Sequence, residues 1–551
     1  MCFPRWHDDA VFSALIGGES VYSVCPRERF VWGGYYEPGT LIWRSRWVTE
    51  SGIVECREAL VPPGEAHRAV IVRRVMALEG EARLQVALRP GSGFDRYGLS
   101  RLRKREDGCW TAHLGEERLR WQGGERAEPE QEAGEPRALR LDIELEAGGS
   151  HDFVLAIDRP NGAEDELPPA DVLWRRTEEW WGGQIPSLGN TAAPRDARHA
   201  YAVMRGLTSS SGGLVAAATT SLPERAEQGR SFDYRYVWIR DQSYAGQAVA
   251  RAGEHPLLDR ALAFVTERLL ERGASLAPAY TVTGDPVLAE RQIELPGYPG
   301  GRDIVGNQVR SQFQLDAFGE ALLLFAAAAA HDHLDGDHWR AAEIAVEAIS
   351  SKRGEPEAGI WELEPRRWTH SLLICSAGLR ALAGHAPAGE MRARWLSLAD
   401  ELLVEASRVG LHPSGRWQRA ESDPRLDASL LLAAVRGAVA ADDPRSLQTL
   451  AAVEEELTED GYCYRYHAQG LPLGDAEGSF LLCGFWMCLA HAQQGDPTKA
   501  LAWFERNRAA CGPPGLLSEE FDVRQRQLRG NLPQAFVHAL LLECAAVLDS
   551  G

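Results

Sequence analysis

The chain has 551 residues, which is too long for a single hydrophobic core and therefore predicts two domains. Its 79 acidic residues outnumber its 59 basic residues, and the formal net charge at pH 7 is -20. This charge argues against nucleic acid or an anionic membrane surface as a partner, because both bind basic protein faces. A neutral polar substrate is compatible with it.

The chain shows no sign of export or membrane insertion. Its N-terminus lacks the charged and then apolar pattern of a signal peptide, and its longest apolar run, residues 321–330, is too short to cross a bilayer. The 10 cysteines are scattered without a CxxC pair, which favours free thiols in a reducing compartment. We therefore expect a soluble, cytoplasmic protein. Whether it is a monomer or a homo-oligomer is left open.

Residues 1–165 have the pattern of an antiparallel β-sandwich. Residues 139–145 alternate strictly between apolar and polar side chains, which is the period of a half-buried strand. Residues 67–76 and 82–88 are rich in Val, Leu and Arg and predict further strands, and Gly and Pro separate these segments. Several short strands with turn signals between them are typical of a sandwich.

A change of pattern follows the predicted strands. Pro168 and Pro169 interrupt the chain, and the apolar side chains of residues 170–181 then recur with helical spacing. We interpret residues 166–190 as a linker helix between the two domains.

Residues 191–551 predict an all-helical domain. Amphipathic segments recur there, separated by loops rich in Gly, Pro and Asp. The segments are residues 195–207, 241–253, 256–273, 310–332, 336–350, 367–384, 388–409, 425–441, 443–456, 476–494, 496–510 and 532–548. About a dozen helices are compatible with a ring of six helical hairpins. Composition alone does not establish that the ring closes.

Two glutamates in aromatic surroundings are candidates for acid–base chemistry. Glu362 follows Trp361, and a carboxyl beside an indole is desolvated, which favours the protonated form that a general acid needs. Two arginines shortly after it would instead favour the ionised form, so the residues leave this open. Glu519 lies ahead of the last predicted helix. For each glutamate the alternative is an ordinary solvated acidic turn.

Two further segments combine aromatic rings with charge. Tyr234 and Trp238 offer flat faces for a sugar ring, and Arg240 with Asp241 supplies donors and acceptors that match adjacent hydroxyl groups. The alternative is a structural Arg–Asp pair, with Asp241 capping the following helix. Arg465 lies between two tyrosines and is a second candidate sugar contact, or else part of a surface strand or turn.

The order of motifs along the chain is more specific than any single motif. The motifs are residues 2–6, 219–224, 234–241, 312–316, 359–362, 480–486, 518–522 and 530–536. In this order the chain resembles glycoside hydrolase family 15, which includes glucoamylases and bacterial trehalase-like and isomaltose-cleaving relatives. Bacterial relatives carry a further stretch ahead of the first motif, so the sandwich lacks its first strands unless the natural chain starts earlier.

The resemblance implies a β-sandwich followed by an (α/α)6 barrel, and hydrolysis of terminal α-glucosides with inversion. It matches Glu362 to the general acid and Glu519 to the general base. The residues matched to sugar binding are Tyr234, Trp238, Arg240, Asp241, Trp361 and Arg465. It implies neither a metal nor an organic cofactor.

We therefore predict an inverting, exo-acting hydrolase that releases glucose from the non-reducing end of short α-glucans or disaccharides, in the manner of a glucoamylase or α-glucosidase. The alternatives are a trehalase of the same family and an inactive homologue that only binds sugar. The linkage and the chain length of the substrate stay open.

Overall fold

The computed structural model describes residues 1–160, 166–225 and 229–549. Contacts divide the chain into two compact units. The first unit comprises Met1–Pro186, Gln292–Asp303 and Pro513–Gly515, and the second comprises Ser187–Arg291, Ile304–Gly512 and Leu516–Gly551. The predicted boundary at residue 165 lies outside the described residues.

The first unit is built mainly from β-strands. The strands are β1 (Val21–Pro26), β2 (Phe30–Tyr36), β3 (Trp43–Thr49), β4 (Gly52–Leu60), β5 (Arg68–Gly80), β6 (Ala82–Arg89), β7 (Leu99–Lys104), β8 (Trp110–Leu114), β9 (Glu117–Gln122), β10 (Glu128–Glu132), β11 (Glu135–Leu145) and β12 (Ser150–Asp158). A single turn, α1 (Ser92–Asp95), and the helix α2 (Ala170–Gln184) complete it.

The strands form two antiparallel sheets around a shared core. One sheet has the order β1-β6-β11-β10, and the other has the order β2-β3-β4-β5-β12-β9-β8-β7. Leu84 and Leu139 of the first sheet belong to the same buried cluster as Val75, Trp121 and Leu155 of the second. The predicted β-sandwich is therefore present.

Side-chain alternation explains how β11 contributes to this core. Leu139, Leu141 and Ile143 are buried, whereas Arg140 and Asp142 between them are exposed. This is the inward and outward alternation of a strand with one face on the core. The helix α2 contacts β5 and β12, so it packs on the sheet within the first unit.

The second unit is mainly helical. Its helices are α3 (Pro194–Leu207), α4 (Ile239–Arg251), α5 (Pro256–Arg272), α6 (Asp316–Ala329), α7 (Gly336–Lys352), α8 (Thr369–Ala383), α9 (Glu390–Val409), α10 (Leu432–Val435), α11 (Pro444–Glu456), α12 (Leu481–Gln493), α13 (Pro497–Arg508) and α14 (Ala535–Asp549). Among the described residues, no helix is long and apolar enough to cross a membrane.

Helices α4, α6, α8, α10, α12 and α14 contact one another in that order, and α14 also contacts α4. Helices α3, α5, α9 and α13 pack against α14, α4, α8 and α12 respectively. The first set is buried nearly all round, as in α14, where Phe536, Leu540 and Cys544 are all inaccessible. A helix that is apolar on every face is expected only where neighbours cover every face.

Two predicted helices are shorter than expected. The predicted helix at 425–441 contains only the four residues of α10, preceded by a 3-10 turn at Ala428–Leu431. The side chain of Asp427 caps that turn, and Gly437 has a φ of 83°, which the α-helix does not allow. The predicted helix at 310–332 begins only at Asp316.

Candidate active site

Most candidate residues lie in connections that lead into the mutually contacting helices of the second unit, whereas Arg240 and Asp241 lie in the first turn of α4. Tyr234 and Trp238 precede α4, and Glu362 lies between α7 and α8. Arg465 lies between α11 and α12, and Glu519 immediately precedes the short strand Glu520–Asp522, ahead of α14. A rigid scaffold that presents functional loops in this way is common in enzymes.

Glu362 lies on a tight turn beside an indole and a guanidinium. Trp238 Nε1 donates a hydrogen bond to Glu362 Oε1 at 2.7 Å, and Arg240 NH2 lies 3.6 Å from the same oxygen. The Glu362 side chain is 27% exposed, so it is accessible from solvent. Its φ of 56° is unusual for a residue other than glycine, and such a backbone persists only where the surroundings hold it.

Arg240 lies among three carboxylates. Besides Glu362, its guanidinium lies 3.9 Å from Asp241 Oδ2 and 4.0 Å from Asp316 Oδ2. Burial raises the pKa of Asp241 to about 6, although the nearby Arg240 opposes the shift. Asp241 does not cap α4, because Trp238 occupies the N-cap position. Asp241 Oδ1 is buried and has no hydrogen-bond partner among the described residues.

Glu519 lies in a different environment. The Tyr234 hydroxyl donates to Glu519 Oε2 at 2.7 Å and lies 3.3 Å from Glu224 Oε1. Glu519 is half-buried. Burial, reinforced by the Glu224 carboxylate, raises the pKa of Glu519 to about 8, while the Tyr234 hydrogen bond and Arg465 oppose the shift.

The two glutamates are connected through two aromatic rings in contact. Tyr234 and Trp238 meet edge to face, with ring centroids 5.8 Å apart. One ring supplies the donor to Glu519 and the other the donor to Glu362. The structure thus brings together the two glutamates and the aromatic segment that the sequence singled out separately.

Arg465 is buried, which rules out the alternative of a surface strand or turn. It forms a bidentate ion pair with Glu477, with distances of 2.9 Å from Nε to Oε1 and 2.7 Å from NH2 to Oε2. Its guanidinium carbon lies 4.4 Å from the ring centroid of Phe480 and 5.5 Å from that of Trp361. The Trp361 indole in turn donates to Asp427 Oδ1 at 2.9 Å.

Sequence reasoning missed a cluster of charges beside Glu519. Arg230 lies 2.7 Å from Glu224, 3.2 Å from Glu477 and 3.6 Å from Glu520. Glu520 is fully buried and accepts a hydrogen bond from the Gly478 amide at 2.8 Å. Glu224 ends one of the motifs that carry the resemblance, and this position was the available signal for it.

Comparison with known proteins identifies the family. Residues 198–546, more than half of the chain, match the model of glycosyl hydrolases family 15. The chain belongs to glycosyl hydrolases family 15. It is therefore a glycoside hydrolase, and its substrate is a sugar.

Relatives of this family 15 hydrolase include trehalases and an isomaltose glucohydrolase. The trehalase of Mycobacterium tuberculosis is 29% identical over 604 aligned residues, which cover 98% of this chain and 85% of the relative. The trehalase of Thermoplasma acidophilum is 29% identical and covers 62% of this chain and 60% of its own length. The isomaltose glucohydrolase of Kribbella flavida is 27% identical, covering 63% and 83%.

Solved structures support the fold of the family 15 hydrolase. A bacterial glucoamylase complexed with acarbose superposes with a TM-score of 0.73 at 14% identity, covering 94% of this chain and 86% of that one. A wild-type glycosidase gives a TM-score of 0.52 at 22% identity, covering 66% and 97%.

Proposed function

We propose that this family 15 hydrolase is an inverting, exo-acting α-glucosidase that releases glucose from a disaccharide, with trehalose as the first substrate to test. The sequence alone favoured cleavage in the manner of a glucoamylase. The relatives named trehalase that align with 98% of the chain support trehalose instead. An isomaltose glucohydrolase among the relatives keeps α-1,6 cleavage as the second candidate.

The observation that supports this function is the pair of carboxyls at the two contacting rings. In the proposed mechanism Glu362 protonates the glycosidic oxygen while Glu519 takes a proton from water. That water attacks the anomeric carbon from the face opposite the leaving group. An inverting glycosidase needs two carboxyls on opposite sides of the scissile bond. In such enzymes the two carboxyl groups are about 6.5–9.5 Å apart.

The remaining site residues are proposed to hold the terminal glucose. Asp241 Oδ1 is a buried acceptor without a partner among the described residues, which suits a sugar hydroxyl. Arg240 is the donor beside it, and Tyr234 and Trp238 provide apolar surface for the ring. Trp361 and Arg465 are proposed to lie next to this pocket, where Arg465 acts with its partner Glu477.

The scaffold is proposed to be an (α/α)6 barrel. The contacts that run from α4 through α6, α8, α10 and α12 to α14 and back to α4 support an inner ring of six helices. The proposed domain boundaries are those of the sequence: a sandwich at 1–165, a linker helix at 166–190 and a catalytic domain at 191–551.

The test is glucose release from trehalose, isomaltose, maltose, kojibiose, nigerose and soluble starch, with the anomers followed by NMR. Inverting cleavage of trehalose produces one β-glucose from the attacked residue and one α-glucose from the leaving group. In 18O-labelled water only the β-anomer should carry the label at first. Initial formation of α-glucose alone would show retention. Sugar binding without glucose release would show an inactive homologue.

A further inference from the structure

Glu224 shares the Tyr234 hydroxyl with Glu519. The hydroxyl oxygen is 2.7 Å from Glu519 Oε2 and 3.3 Å from Glu224 Oε1. A phenol has one proton to donate, so it can serve only one of these two carboxylates at a time. The shorter distance shows that Glu519 receives it in this structure.

Glu224 is held as a buried charge. The residue is only 4% exposed, and its Oε2 lies 2.7 Å from Arg230 NH2. A buried carboxylate needs such a partner to stay ionised. Because Arg230 engages Oε2, Oε1 is the oxygen that faces the Tyr234 hydroxyl.

We propose that Glu224 is a positioning residue that accepts the Tyr234 hydrogen bond at the moment when Glu519 becomes protonated. This inference rests on the proposed function, in which Glu519 is the base. As water attacks, its O–H bond breaks and the proton moves to Glu519. The new O–C1 bond forms, the glycosidic C1–O bond breaks, and the leaving oxygen takes the proton of Glu362. A protonated Glu519 is a poorer acceptor, so the phenol turns to the carboxylate of Glu224.

The groups around Glu519 determine whether its carboxyl becomes more or less basic. They are Glu224, Tyr234, Arg465 and Asp241. Glu224 and Asp241 disfavour a negative charge on Glu519, whereas Arg465 and the Tyr234 hydroxyl favour it. After burial, Glu224 is the largest contribution that makes Glu519 more basic. A more basic Glu519 accepts a proton from water more readily.

The test compares a variant that removes the charge of Glu224 with a variant that keeps it. Glu224→Gln keeps the shape but removes the charge, and it should lower kcat roughly tenfold, as expected for a hydrogen bond to a charged group. The alkaline limb of kcat/KM, the pH range in which the rate falls as Glu519 loses its proton, should also move to lower pH by about one unit. Glu224→Asp keeps the charge and should leave the same limb where it is in the wild type. Both profiles are measured on whichever glucoside the wild type cleaves.

A purely structural role predicts a different result. If Glu224 only holds its loop, both variants should lose activity and thermal stability while the alkaline limb stays where it is in the wild type. An unchanged limb in Glu224→Gln, or the same shift in both variants, would overturn the inference. If Glu224→Gln fails to fold, Arg230→Gln replaces it, because loss of the cation that pairs with the buried Glu224 carboxylate should move the limb in the same direction. The proposed function fails separately, because then the wild type releases no glucose or Glu519→Gln stays active.

Discussion

Glu362 and Glu519 occupy opposite electrostatic environments within the same unit. The Arg240 guanidinium and the Trp238 indole N–H lie within 3.6 Å of Glu362. At Glu519, burial and a neighbouring carboxylate favour the protonated form and raise its pKa to about 8. In the free enzyme at neutral pH the proposed base, Glu519, therefore carries a proton.

This comparison does not reverse the proposed roles. When two carboxyls share one proton, the titration belongs to the pair, and a rate profile does not reveal which oxygen carries the proton. In the reactive form Glu362 is protonated and Glu519 is ionised, and this form differs from the one with the proton on Glu519 only in where that proton lies. As the pH rises, the pair of carboxyls loses its last proton at the pKa of the more basic carboxyl. Activity should therefore fall above about pH 8, the pKa of Glu519.

We expect the largest loss of activity from Glu519→Gln. An amide cannot take the proton from water, so kcat should fall by about 10²–10⁴. The loss should be equally large for a disaccharide and for α-glucosyl fluoride, because both need an activated water. Calorimetric titration should show that the sugar still binds. Near-normal turnover would mean that another group is the base.

Glu362→Gln should give a loss that depends on the leaving group. A sugar leaving group needs a proton, so kcat on the disaccharide should fall by about 10²–10⁴. Fluoride leaves without protonation, so the loss with α-glucosyl fluoride should be below about tenfold. Glu364→Gln is the matched control, because Glu364 is exposed two residues further along. Equal losses on both substrates would remove Glu362 from the role of acid.

Removing either of the two aromatic hydrogen-bond donors should cause a smaller loss of activity. Trp238→Phe and Tyr234→Phe each remove one donor that lies 2.7 Å from a carboxyl. Loss of a hydrogen bond to a charged group should cost about 10–100-fold in kcat/KM. Trp238→Phe should cost less, because Arg240 still compensates the charge of Glu362. Melting curves check that both variants fold. A larger loss for Trp238→Phe would contradict this ranking.

The sequence predicted what depends on local pattern. The alternation at residues 139–145 placed β11 correctly, and the aromatic neighbours singled out both glutamates. It did not predict which distant groups meet. Tyr234 and Glu519 are separated by 285 positions along the chain, and their contact depends on how the helices pack. The ion pair of Glu224 with Arg230 was missed for a related reason, since each residue alone looks like an ordinary loop charge.

Arg465 and residues 425–441 are two further places where the sequence predicted only part of the structure. The aromatic neighbours of Arg465 were visible in the sequence, but its burial and its bidentate pairing with Glu477 follow from packing. Residues 425–441 have helical periodicity, yet the cap at Asp427 and the positive φ of Gly437 leave only a short helix. Propensity is a weak prior where tertiary contacts decide.

The smallest expected effect is on thermal stability. It tests the raised pKa of Glu519 without a measurement of activity. Burial raises the pKa of Glu519 to about 8, whereas an unfolded Glu has a pKa of about 4.3. Between these values the folded state binds more protons than the unfolded state, so this contribution is complete below about pH 4.3 and is lost as the pH rises through about 8. Glu519→Gln removes the buried charge. Its Tm advantage over the wild type should therefore be larger at pH 8 than at pH 5, by about 2 °C. Glu364→Gln, at an exposed site, should show the same Tm difference at both pH values. If Glu519→Gln behaves like that control, the Glu519 carboxyl is not destabilised in the folded state, and the contrast with Glu362 disappears.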